Sequence, residues 1–130
     1  MRTQYHCRQV GSDTLIWDIH RLVRLARGIA PHTIPLSDIA ELYENWWFKD
    51  QTMIPTPKAI AAHMALVQAC DLAHPLILCS EGRLMDGMHR AVKAVLENRR
   101  TVQVVQFLQT PEPDFMNVSL DDLPYRDEHI

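Results

Sequence analysis

Residues 76–107 read LILCSEGRLMDGMHRAVKAVLENRRTVQVVQF. Residues 76–79 form an apolar run of the length of a buried strand. Ser80, Glu81, Gly82 and Arg83 carry turn chemistry, with Gly82 able to take a positive φ. Leu84 and Met85 return as a short strand, Asp86 and Gly87 close it, and a helix begins at once. Ala91, Val92, Val95 and Leu96 fall at helical spacing, and Asn98 supplies a C-terminal stop. Residues 101–107 are β-branched and aromatic, which reads as a second core strand. The polar residues Asp86, His89 and Arg90 gather with Gly87 where strand hands over to helix.

That junction has a physical use. The first amides of a helix lack intrahelical acceptors and carry the positive end of its dipole. Gly87 presents no side chain, so an anion can approach the backbone, and His89 and Arg90 add donors on the same turn. Two readings stand at this level: a phosphate site, and a tight strand-to-helix turn with solvated His89 and Arg90.

The stretch LMDGMHRAVKAVLENRRTVQVV resembles the core of the ParB/sulfiredoxin superfamily. There a strand ends in a short glycine motif such as Gly-x-His-Arg, a helix follows, and a polar turn leads to the next strand. The resemblance covers residues 33–107. It implies an α+β fold, a small mixed sheet with helices packed against it. It also implies one domain over residues 1–130, with an N-terminal helical extension and a C-terminal tail. Members include ParB partition proteins, which bind CTP, sulfiredoxins, which bind ATP, and an ADP-dependent free-serine kinase. The resemblance thus implies nucleotide or phosphate binding at Asp86, Gly87, Met88, His89 and Arg90, with ATP, ADP or CTP and Mg²⁺ as expected cofactors. Where sulfiredoxins place a catalytic cysteine, between glycine and histidine, this chain has Met88, which excludes sulfinic acid reduction by that route. What carries over is Gly87 for close approach and His89 and Arg90 as donors; Asp86 either helps hold Mg²⁺ or caps the helix. Phosphoryl transfer would also need a carboxylate base. Glu41 and Glu44 are the candidates, because their segment follows an Ile-Pro-Leu strand of the kind that precedes the nucleotide site in the superfamily.

Three functions follow as expectations: a nucleotide-binding phosphotransferase or hydrolase; a non-catalytic ParB-like module whose nucleotide switches partner or DNA association; and a nuclease or DNA adaptor. The formal net charge of −3 and the lack of a recognisable helix-turn-helix segment disfavour the third. P-loop, Rossmann, His-Glu-x-x-His and Gly-x-Ser-x-Gly patterns are all absent from the sequence, and no metal ligands are assigned.

At 130 residues the length suits one domain, and 47% hydrophobic residues can fill its core. Cys7, Cys70 and Cys79 lack CxxC spacing and read as buried thiols rather than ligands or disulfides. No bilayer-length apolar stretch or apolar signal core is present, which gives the expectation of a cytoplasmic protein with no membrane partner.

Residues 1–11 read as an extended arm. Either Ser12 or Asp13 caps the next helix, or Asp18 does if residues 14–17 are extended. Ile19, Leu22, Val23 and Ala26 then make one apolar face over residues 19–27, with arginines elsewhere that suit an anionic partner or a solvated surface. Pro35 marks residues 33–36 as an edge strand, and Ser37 is expected to cap a brief helical turn. Trp46, Trp47 and Phe48 cannot all face one core; they line a cleft, cover the sheet, pack under a loop or meet a second subunit of a homo-oligomer. Thr56-Pro57 opens a helix over 57–69, with Ile60, Met64 and Val67 as its buried stripe, joined by Ala61 and Cys70. The third helix is expected over 88–97. A stiff acidic loop at 110–114, a docking or strand segment at 115–118, a last turn with Leu120 and Leu123 inward, and a frayed 126–130 complete the chain.

Overall fold

The computed structural model describes residues 4–49 and 52–125; the expectation for residues 126–130 lies outside them. Two strands, β1 (Tyr5–Val10) and β2 (Asp13–Asp18), pair as an antiparallel hairpin. Val10 pairs with Asp13, so the turn is two residues, and Gly11 takes φ 62° in it. Residues 5–10 of the expected extended arm are therefore a sheet strand. Asp18 then caps α1 (Ile19–Ala26), accepting the His20 amide; Ser12 and Asp13 have no such role.

The remaining strands are β3 (His32–Pro35), β4 (Leu76–Leu78), β5 (Leu84–Asp86), β6 (Thr101–Gln106) and β7 (Phe115–Met116). The helices after α1 are α2 (Pro57–Ala69) and α3 (Met88–Leu96). A mixed four-stranded sheet has the order β3-β6-β4-β5, with β4 parallel to β6 and the other two pairings antiparallel. A second sheet, β1-β2-β7, is antiparallel throughout. The α+β class expected from the sequence is observed, with two small sheets instead of one.

Strand periodicity divides the core. Leu76, Leu78, Leu84, Val102 and Val104 share one cluster with Met88, Ala91 and Ala94 of α3. Ile77, Cys79, Met85, Val105 and Phe107 share the other with Trp17 and with Leu22 and Ala26 of α1. Successive strand residues point to opposite faces, so β4 and β6 bury both. This explains the unbroken apolar run of β4 and the adjacent buried pair Val104 and Val105 of β6.

α3 ends as its sequence suggests, with Asn98 at φ 56°. α2 departs from expectation. It packs mainly on α3, so only Val67 is fully buried, while Ile60 and Ala61 stay exposed. Thr56 caps it through the Ala59 amide, and Lys93 of α3 donates to the Gln68 and Cys70 carbonyls at its far end. Residues 36–38 form a short 3-10 turn without side-chain capping, so Ser37 lies within the turn instead of capping it. At the C-terminal end Leu123 is buried but Leu120 is exposed. Segment 111–116 is stitched to the hairpin: Trp17 Nε1 donates to the Pro111 carbonyl, and Asp114 accepts from Arg21 and from the Asp18 amide. Arg21 is therefore a tie within the fold, while Arg24 and Arg27 face solvent.

His6 on β1 sits between the indoles of Trp17 and Trp46, its ring centre 5.7 Å from each. Arg8 Nη2 lies 3.4 Å from His6 Nε2, and a guanidinium can only donate, so that nitrogen is a bare acceptor. Burial, then the Arg8 and Lys49 charges, lower the imidazole pKa from 6.5 to about 3. The unfolded chain binds a proton there below pH 6.5 and the folded chain does not, so stability falls as pH drops from 6.5 toward 3. At pH 5.5 the His6 contribution to the loss is about 1 kcal/mol relative to pH 8. Urea unfolding of wild type and His6→Phe at both pH values checks this: the variant is expected to lose less stability on acidification.

Candidate functional site

The site forms where β5 hands over to α3. Gly87, at φ 112°, is the N-cap residue and offers no side-chain acceptor to the first turn. Two needs select glycine here. The left-handed backbone disfavours a β-carbon. An added Cβ would also stand 3.3 Å from Leu76 Cα and 3.0 Å from both Leu76 Cγ and Arg90 Nη2. The closeness of β4 is what Gly87 accommodates.

The other four junction residues divide by role. Met88 turns into the core beside Ala91. Arg90 Nη2 donates to Asp86 Oδ2 and to the Pro75 carbonyl, both at 3.2 Å, tying α3 to the lead-in of β4 and compensating the Asp86 charge. His89 reaches across to α2, where its Nε2 lies 3.0 Å from His63 Nδ1.

The two imidazoles lie end to end. Their ring centres are 5.3 Å apart and their planes differ by 25°, the arrangement of two nearly coplanar rings sharing one N–H···N bond. Trp47 lies over both rings, 4.2 Å from His63 and 5.0 Å from His89, with interplanar angles of 15° and 20°. Burial lowers the pKa of His63. Burial also lowers that of His89, with His63 and Arg90 adding to the depression and Asp86 opposing it. Both rings are therefore biased toward neutrality. Beside them Trp47, Phe48, Met53, Ile54, Thr56 and His63 line an open cleft of about 360 Å³.

The chain matches no family model, curated protein or solved structure.

Glu41 and Glu44 meet Arg83 in the β4–β5 turn. Glu41 is 1% exposed; its Oε1 accepts the Leu84 amide at 3.2 Å, and its Oε2 lies 3.0 Å from Arg83 Nε. That last contact is ionic and not a well-aligned hydrogen bond. Glu44, at the surface, takes the other two guanidinium nitrogens at 3.1 and 3.3 Å. Of the junction residues, His89 is thus brought together with His63 and Trp47, Asp86 and Arg90 pair with each other, Met88 lies in the core, and the two glutamates are gathered on Arg83. Among the described residues no group of three or more His, Cys, Asp or Glu is placed to hold a metal ion, and no helix is long and apolar enough to cross a membrane.

Sequence reading missed His63 as a site residue. It is 26 positions from His89 and on another helix. Its spacing of one turn from Val67, the one fully buried residue of α2, was the available signal.

Proposed function

We propose that this protein binds a phosphate-bearing small molecule of the nucleotide class at the amino end of α3. The observation that carries the reading is the uncapped start of α3, whose His89 bonds to His63, with Trp47 flat over both rings and with His63 and Trp47 lining an open cleft. Backbone amides of the first turn and the helix dipole suit a phosphate group. Trp47 and Phe48 offer aromatic walls to a planar base. Asp86 would oppose an anion, but Arg90 compensates its charge.

Binding is favoured over phosphoryl transfer because the carboxylates Glu41 and Glu44 are both engaged by Arg83. The ligand then acts as an occupant that changes what the Trp47 loop presents to a partner, in keeping with a ParB-like module.

Calorimetric titration with ATP, ADP, CTP and inorganic phosphate, each with and without Mg²⁺, tests the reading. At least one is expected to bind the wild type. Arg90→Ala is expected to weaken that binding by about 1.5–3 kcal/mol, the scale of a charge-assisted hydrogen bond, because it leaves Asp86 uncompensated beside the anion. Failure of all four at millimolar concentration overturns the reading.

A further inference from the structure

We propose that His63 is the second half of this anion site, and that the His63–His89 pair takes up one shared proton when a phosphate group binds. The inference rests on the binding reading above and adds its proton linkage.

The end-to-end geometry sets the arithmetic. An N–H···N bond 3.0 Å long needs one facing nitrogen to carry hydrogen and the other to be bare. In a neutral pair the outer nitrogens, His63 Nε2 and His89 Nδ1, are then complementary: one is N–H and the other is bare. A proton from solvent adds to the bare outer nitrogen. The product is an imidazolium donating to a neutral imidazole, a charge-assisted bond stronger than the neutral one. A second proton would place hydrogens on both facing nitrogens and two like charges on adjoining rings, so uptake stops at one.

The surroundings suit that single charge. Trp47 lies flat over both rings, and an aromatic face attracts a cation. Phe48 meets His63 edge-on and carries no charge. The charged groups acting on His89 are Asp86 at the end of β5 and Arg90 on α3, and they are paired with each other. Burial keeps the free pair neutral near pH 7. A bound dianion beside the first turn of α3 stabilises the protonated pair, and by linkage the pair draws a proton as the anion binds.

The test is calorimetry of the whole chain at pH 7.5 in buffers of different ionisation heat, with ADP and with inorganic sulfate as probes. Sulfate does not titrate in this range, so protons taken up with it come from the protein. The expected uptake is on the order of one proton per bound anion, with binding roughly 30- to 100-fold tighter at pH 6 than at pH 8. His63→Phe keeps a ring under Trp47 but removes the shared bond; its protein-derived uptake is expected near zero and its pH dependence flat. His63→Gln serves as a second variant if the first does not fold. Binding without protein-derived uptake, or uptake unchanged in the folded His63 variant, overturns the inference and leaves the binding reading standing. Absence of binding by ADP, ATP, CTP and phosphate to the wild type removes both.

Discussion

Replacing Arg83 with methionine is expected to cost about 3–5 kcal/mol of stability, the scale for stranding a buried charge. The asymmetry with Glu41→Gln is the informative part. Glu41 is 1% exposed, while the Arg83 side chain is 47% exposed. Without Arg83 the carboxylate keeps only the Leu84 amide as a described donor and cannot be rehydrated in place. Without the Glu41 charge, the guanidinium can still turn to Glu44 and to water, and glutamine can still accept from Leu84. Glu41→Gln should therefore cost about 1–2 kcal/mol. Urea unfolding at pH 7 separates the two; equal costs would mean that the pair is not the buried-charge arrangement described.

Gly87→Val is expected to destabilise the fold by roughly 2–5 kcal/mol. Left-handed backbone costs a branched residue about 1–2 kcal/mol, and overpacking adds about 1–3 kcal/mol. The Arg90 tip can move away, but Leu76 Cα belongs to the central strand β4 and cannot. Thermal or urea unfolding reads this directly, and a cost under about 1 kcal/mol would contradict the packing. Because the effect falls on the fold, Gly87 variants are poor probes of ligand binding, and His63, His89 and Arg90 carry that burden.

The strands around α3 were legible because their chemistry is local. The apolar run at Leu76, the Gly82 turn at φ 80° and the β-branched run from Thr101 each determine their own backbone. β1 was not legible because YHCRQV is half polar without sustained alternation and gains its place from pairing with β2; the two-residue turn at Gly11 was the available signal. The α2 stripe failed for a different reason. PKAIAAHMALVQA is apolar on nearly every side, so its sequence cannot say which side is covered, and packing on α3 left Ile60 and Leu66 outside. Within the site, the Asp86–Arg90 turn could be read from residue types. The His63–His89 bond and the Trp47 cover could not, because they depend on how α2 and the Trp47 segment settle against α3.

The most direct test of the central claim is an amide correlation spectrum of the isotopically labelled chain titrated with ADP. The account predicts that the largest shifts fall on the Met88, His89 and Arg90 amides, with the Trp47 indole moving in step. Shifts confined to α1 or to the β1–β2 hairpin, or no shift at millimolar ADP, ATP and CTP, would contradict it.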